Sequence, residues 1–171
     1  LSFLALYYVG NKIISKSDSL HFSKPVAIGL MISIGIGLHN FGEGLAIGAA
    51  VGIGSIAFST FLIVGFALHN TTEGIAIAAP MSRGKLMIGK LAIMGVIAGS
   101  PAIFGAWIGG FAYSPFTSVI FLAIGAGAIF QVILVLLKWI QKENDGNLST
   151  LSVVSGFAIG MLVMYFTSIL V

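Results

Sequence analysis

Histidine and glutamate recur in two copies of one short polar motif, each inside strongly apolar surroundings. The first copy, at 39–44, reads His-Asn-Phe-Gly-Glu-Gly, and the second, at 69–74, reads His-Asn-Thr-Thr-Glu-Gly. Aligned over sixteen residues, 35–50 and 65–80 are identical at nine positions. Ionisable residues are costly within an apolar membrane span and usually mark a path for ions or protons. The repetition therefore indicates ion chemistry at both motifs.

The spacing within each motif predicts a metal site. Histidine and glutamate are four residues apart in both copies, and on an α-helix this spacing puts them on one face. Two imidazoles and two carboxylates suit a borderline divalent ion such as Zn²⁺, and also Fe²⁺ or Mn²⁺. Two glutamates also balance the charge of one dication. The expected ligands are His39, Glu43, His69 and Glu73.

The other polar residues of the apolar stretches are expected to have structural roles and not to bind the ion. A polar side chain in a membrane helix often only hydrogen-bonds a neighbouring helix, and this role is expected for Ser33, Ser100, Ser118 and Gln131. His21 is expected to be an ordinary solvated loop residue. The glycines beside the glutamates are ambiguous, since they suit either close packing or a bend near the ion; they are Gly42, Gly44 and Gly74.

Composition places the chain in a membrane. Hydrophobic residues make up 58% of the 171 residues, charged ones 8%, and the mean hydropathy is +1.11. Soluble domains carry roughly a quarter charged residues. There is no cysteine, which excludes disulfides and thiolate metal sites. The net charge of +3 is spread over loops, so it bears on membrane topology and does not indicate binding to nucleic acid.

The apolar stretches predict an all-α, polytopic transmembrane helix bundle, with 1–171 as a single transmembrane domain. A crossing helix needs about 20 residues, and the stretch 1–9 is too short, so we expect it to be the end of a helix that begins upstream. Pro101 is expected to kink its helix. The five full spans are expected at 26–50, 56–79, 86–111, 116–137 and 148–171.

The basic residues predict the orientation. All eight Lys and Arg fall in 11–24, 81–90 and 138–147, and none lies in 51–55 or 112–117. Positively charged loops stay in the cytoplasm, so 11–24 is expected to be a cytoplasmic loop and the C-terminus to lie outside. The two motif helices then run antiparallel and form an inverted repeat, which is a common way to build a transport site near the bilayer midplane.

The two motifs resemble the fourth and fifth helices of ZIP family metal transporters, and most closely the prokaryotic zinc-uptake and GufA-like members. The family pattern is His-Asn-x-Pro-Glu-Gly, and both copies occur here in order and with the right spacing. Two departures are clear. The prolines are replaced by Gly42 and Thr72, and the third span has no carboxylate where the family often has one, near Ser100. The resemblance implies a chain that runs from the end of the third family helix to the eighth, without the first two helices.

The resemblance also implies a function. His39, Glu43, His69 and Glu73 would form the primary transport site, and Asn40 and Asn70 would join the glutamates in a second site. The expected activity is uptake of zinc, or of iron or manganese, into the cytoplasm by a multi-pass protein of the cell membrane. The metal would be the transported substrate, with no cofactor. The expected partners are the metal ion, the bilayer and, for a homodimer, a second copy of the chain.

Two other functions remain open on the sequence. An intramembrane metal-dependent hydrolase would use the same ligands to activate a water molecule, although no other acidic residue lies in any span to act as a base. A membrane metal sensor would bind the ion without moving it. The sequence favours the transporter and not an enzyme.

Overall fold

The computed structural model describes residues 1–17, 23–82 and 87–169. Within these residues every regular element is helical, and no strand occurs. A 3₁₀ turn at Ala79–Met81 follows the third helix. The helices are α1 (Ser2–Ser15), α2 (Lys24–Gly52), α3 (Ile56–Ala78), α4 (Ile88–Phe111), α5 (Pro115–Glu143) and α6 (Leu151–Ser168).

Five of these helices, α2 to α6, are long and apolar enough to cross a membrane. The prediction of an all-helical chain with five helices of membrane-spanning length is therefore confirmed. The shorter α1 occupies the stretch that was expected to be too short for a crossing. His21 and the basic residues Arg83 and Lys85 lie outside the described residues, so nothing is added about their expected loop positions.

Two helices extend into segments that the sequence assigned to loops. The expected loop at 138–147 is mostly helical, because α5 continues to Glu143. Likewise α1 continues to Ser15, within the expected loop at 11–24. Charged residues do not end a helix when their long side chains can carry the charge to the membrane surface. Lys12, Lys138 and Lys142 are of this kind, and all three lie in helical turns.

Proline and glycine define several helix boundaries. Pro25 and Pro115 lie in the first turns of α2 and α5, where the missing N–H is not needed for helical hydrogen bonds. Gly54 has a φ of +78° in the turn between α2 and α3, a conformation that favours glycine. The turn is short, so α3 folds back beside α2. Pro101 lies inside α4, and the helix continues through it.

The bundle is organised around α2, which packs against α4, α5 and α3. Contact with α4 is especially close, because glycines on each helix face the backbone of the other. A methyl group on Gly44 would collide with the carbonyl oxygen of Ala102, and one on Gly105 with that of Phe41. By contrast, α6 buries none of its residues. The central helix is thus held by its neighbours, and it is the helix that carries the first motif.

Candidate metal centre

Glu43 lies at the middle of the polar cluster. Its side chain is only 6% exposed, and its Oε1 lies 2.5 Å from His69 Nε2 and 3.4 Å from His39 Nε2. One ligand atom from each of the three residues lies within 4.8 Å of the others. The structure thus brings together His39, Glu43 and His69, which are three of the four primary ligands expected from the sequence.

Helix geometry explains this meeting. His39 and Glu43 are one helical turn apart on α2, so they share a face. His69 comes from α3, which the short turn after α2 returns alongside. The ring of Phe66 packs edge-on against the His69 imidazole, with their centroids 5.5 Å apart. This contact restricts the orientation of the imidazole that faces Glu43.

The asparagine of each motif reaches the glutamate of the other. Asn70 Nδ2 donates to Glu43 Oε2 over 3.3 Å, and the Asn40 side chain faces the carboxyl group of Glu73. Asn40 also donates to the carbonyl oxygen of Ala98 on α4, over 3.1 Å. The two motifs therefore interlock, and a third helix contributes a backbone group.

Glu73 lies beside the cluster of three residues and not within it. Its carboxyl group interacts electrostatically with His39, Glu43 and His69. It is outside the group of ligand atoms that meet within 4.8 Å, because its side chain is directed towards Asn40. A second negative charge is therefore available next to the site.

Several buried oxygen atoms of the cluster lack a hydrogen-bond donor. Among the described residues, Asn40 Oδ1, Asn70 Oδ1 and Glu73 Oε2 are buried and unpartnered. Burying such a group without a partner costs roughly 1–3 kcal/mol, so these oxygens are expected to be satisfied by a further hydrogen-bond donor or by a cation. Imidazole nitrogens, carboxylates and amide oxygens together form a donor set that fits a divalent cation.

A cavity of about 520 Å³ opens onto the cluster. His39, Glu43 and His69 form its polar side, and apolar residues of α5, including Leu122 and Ile129, form the opposite wall. An apolar wall lowers the local dielectric and strengthens the attraction between an ion and the carboxylates. The sequence did not indicate that these α5 residues line the site, because they are ordinary apolar residues of a membrane helix.

A second cavity, of about 180 Å³, adjoins the first and shares Gly42, Ala46 and Leu122 with it. It also reaches Tyr113 and Ser118, near the start of α5, at the end of the bundle where no basic residue lies among those that the structure describes. The two cavities share part of their walls and together extend from that end towards Glu43. Ser118, which was expected only to join helices, lines the second cavity.

The glycines of the two motifs have different surroundings. Gly44 is pressed against the α4 backbone, whereas a methyl group added to Gly74, at the same motif position, would meet no atom within 4 Å. A methyl group added to Gly42 would lie 3.6 Å from the Leu122 side chain, which is an ordinary contact distance. Close packing therefore explains Gly44 but not Gly74.

The remaining polar expectations have mixed outcomes. The Ser33 hydroxyl donates to Gly29 of its own helix, so it does not join two helices. Among the described residues, no side-chain hydrogen bond joins Ser100 to the cluster, and α4 contributes the Ala98 carbonyl instead. That backbone group could not be identified from residue types.

Comparison of the chain with family models, with curated proteins and with solved structures gave no match.

Proposed function

We propose that this protein transports a divalent metal cation, with zinc as the first candidate and iron or manganese as alternatives, into the cytoplasm. The observation that supports this most strongly is the meeting of His39, Glu43 and His69 between two membrane-spanning helices. A His₂Glu cluster around a buried carboxyl group is costly in an apolar span, and such ionisable groups usually mark a path for ions.

In this proposal the cation exchanges water for protein ligands at the cluster. Two imidazole nitrogens and the Glu43 carboxylate replace part of the hydration shell, and Glu73 supplies the second negative charge. The unpartnered oxygens of Asn40 and Asn70 provide further dipoles around the ion. Full charge compensation makes burial of a dication tolerable, because an uncompensated ion at this depth would cost several kcal/mol.

The route of the ion follows from the cavities and the charge bias. The two adjoining cavities, which extend from the lysine-free end towards Glu43, support access from that side. If the basic end lies in the cytoplasm, access is from outside and release is inward, in a multi-pass protein of the cell membrane whose C-terminus lies outside. Direction therefore rests on the charge bias and on the resemblance to ZIP transporters.

Two further features support a transporter of the ZIP type. Both motifs match the family pattern in order and spacing. The exchange of contacts between motifs, with Asn70 on Glu43 and Asn40 facing Glu73, is what an inverted repeat around a shared ion predicts. Transport requires no cofactor, and the metal is the substrate.

An intramembrane metal-dependent hydrolase is the second candidate, and one observation favours it. Catalytic zinc sites use three protein ligands and keep one position for water, and the structure assembles three ligands. Glu73 lies next to them with an unpartnered oxygen, where a general base would be needed. From the sequence alone Glu73 was expected to be a metal ligand, so no other carboxylate within a span was left to act as the general base.

Reconstitution separates these functions. Proteoliposomes made from the purified chain, with a zinc indicator sealed inside, should take up Zn²⁺ along a concentration gradient. Glu43→Ala should abolish uptake, and Thr71→Ala should leave it unchanged, because the Thr71 hydroxyl is exposed and bonds within its own helix. Tight zinc binding without uptake would rule out transport and leave the hydrolase or a sensor.

A further inference from the structure

A separate cavity of about 250 Å³ lies between α1, α2 and α5, at the end of the bundle where α2 begins and α5 ends. It shares no lining residue with the metal cavity. The residue of α2 nearest to the metal cluster that lines this cavity is Ile28. It lies eleven residues before His39, and eleven residues span about 16 Å along a helix. It is therefore a distinct feature of the molecule.

Three lysines stand around this cavity, namely Lys24 from α2 and Lys138 and Lys142 from α5. No acidic residue is among those that line it. Within the described parts of the chain, none of the three lysines forms an ion pair with a carboxylate. Lys138 instead donates to the Tyr7 hydroxyl over 3.4 Å and lies over the Tyr7 ring. The positive charge of the rim is thus left uncompensated.

The inner end of the cavity is formed in part by Gln131, whose side chain is 1% exposed. Its Oε1 is buried without a hydrogen-bond partner among the described residues. The residue was expected to join helices, but its amide is not fully used for that purpose. That oxygen lies beside Gly35 of α2, which does not line the cavity, so Gln131 closes the inner end of the cavity and leaves the lysines as the groups that can bind a ligand.

We propose that this cavity binds the phosphate-bearing headgroup of an anionic phospholipid. Three uncompensated lysines attract an anion and repel a divalent cation, so the cavity does not belong to the metal route. Basic pockets between membrane helices are suited to phospholipid headgroups. The proposal rests on the lysine cavity alone, and it stands whether or not the protein transports metal.

The lining favours a lipid over a free anion. Between the lysine rim and Gln131 the walls are apolar, with Ile14, Leu134 and Val135 among them. Trp139 also lines the cavity, and tryptophan is enriched at the level of lipid headgroups. The volume equals that of about eight water molecules at roughly 30 Å³ each, which accommodates a phosphate group together with the glycerol region that follows it.

Tryptophan quenching provides a direct test. Trp139 lines the cavity, and the only other tryptophan is Trp107 on α4, so Trp107→Phe leaves a single reporter. The purified chain in an uncharged detergent would be titrated with phosphatidylglycerol carrying brominated acyl chains, and with brominated phosphatidylcholine. We expect quenching by phosphatidylglycerol at a concentration at least about tenfold lower than by phosphatidylcholine.

A pair of double variants tests the lysines. Lys24→Gln with Lys142→Gln removes two charges from the cavity, and Lys12→Gln with Lys90→Gln removes two charges that do not line it. The first pair should weaken phosphatidylglycerol binding by about fivefold for each lysine, and the second should not. Equal weakening by both pairs, or equal quenching by the two lipids, would overturn the proposal.

Inorganic phosphate distinguishes a lipid from a free anion. Added to the lipid-free protein at millimolar concentration, it should protect the chain against thermal unfolding much less than phosphatidylglycerol does, because it has no apolar part to fill the cavity walls. Protection equal to that by the lipid would assign the cavity to a free anion and contradict a lipid site.

Discussion

Glu43 and Glu73 occupy the same position in the two motifs, but the structure gives them different surroundings. Glu43 contacts both histidines directly, while Glu73 lies beside the cluster and faces Asn40. The two carboxylates should therefore contribute unequally to metal binding. We expect Glu43 to supply a ligand atom and Glu73 to supply mainly charge.

Replacing the two glutamates should reveal this difference. Glu43→Ala should reduce zinc affinity by well over tenfold, which is more than about 1.4 kcal/mol, because it removes the ligand between the histidines. Glu73→Ala should reduce affinity less, and Thr71→Ala should have little effect. Titration calorimetry measures all three. Zinc binding that is unchanged in the Glu43→Ala and Glu73→Ala double variant would show that the ion does not bind here.

Metal binding should release protons. Glu43 and Glu73 share a poorly solvated site, where like charges disfavour the ionisation of both carboxyl groups as long as no cation is bound. A metal ion favours the deprotonated form of both glutamates, so binding should release at least one proton and affinity should fall as pH falls. Calorimetry in buffers of different ionisation enthalpy counts the released protons. A count of zero near neutral pH would contradict this argument.

One tightly bound metal per chain is expected. Two dications would carry four positive charges against two glutamates, and the amides of Asn40 and Asn70 add dipoles without charge. In a site of low dielectric the second ion lacks compensation, although Glu73 Oε2 and two amide oxygens remain unpartnered. Elemental analysis of the purified protein decides this. Two tightly bound metals per chain would disprove the charge argument.

At the scale of the elements, the position of the site depends on the packing of α2 against α4. Glycines from both helices bring the two backbones close together, and Asn40 is hydrogen-bonded to an α4 carbonyl at that contact. α3, which carries the second motif, has fewer close neighbours. α2 is therefore the more tightly packed wall of the site, and α3 is the less tightly packed one.

The two motif glycines allow a matched test of this asymmetry. Gly44→Ala should destabilise the protein by about 1–3 kcal/mol, as overpacked contacts do, since the new methyl group meets the Ala102 backbone. Gly74→Ala should be neutral or slightly stabilising, because the space is open and alanine favours helix over glycine. Thermal unfolding in detergent compares them. Equal loss of stability in both would contradict the packing difference.

At the scale of the whole molecule, the basic residues that the structure describes are confined to one end of the bundle. Ser23 and Ser82 are exposed near that end, and Ser55 and Ser114 lie in the two turns at the other end. The lysine cavity lies at the basic end, and the cavity that adjoins the metal cavity lies towards the opposite end. The two ends of the molecule thus differ in charge and in the cavity that lies near each.

Labelling of single cysteines tests the orientation. The natural chain has no cysteine, and Ser→Cys at positions 23, 55, 82 and 114 exchanges one oxygen for sulfur. An impermeant thiol reagent added to intact cells should label positions 55 and 114 only, because positively charged loops stay in the cytoplasm. Permeabilised cells should show all four labelled. Labelling of position 23 from outside would reverse the topology.

Hydropathy and spacing made much of this molecule predictable. Long apolar stretches cannot leave backbone polar groups unpaired in lipid, so they form helices, and five spans were found where five were predicted. The four-residue spacing put His39 and Glu43 on one helical face, and the short turn after α2 brought His69 alongside. These outcomes depend on helix geometry and on the length of the connecting turn, and both can be inferred directly from the amino-acid sequence.

The tertiary structure alone decided which groups meet at each site. Whether Glu73 joins the cluster or faces Asn40 depends on the rotation of α3 against α2, which is set by packing over the whole helix. The Ala98 carbonyl and the α5 wall carry no distinctive residue type. The lysine cavity combines residues from three helices distant in sequence. Such arrangements follow from long-range packing, and residue order does not reveal them, because the same residues on rotated helices would face lipid.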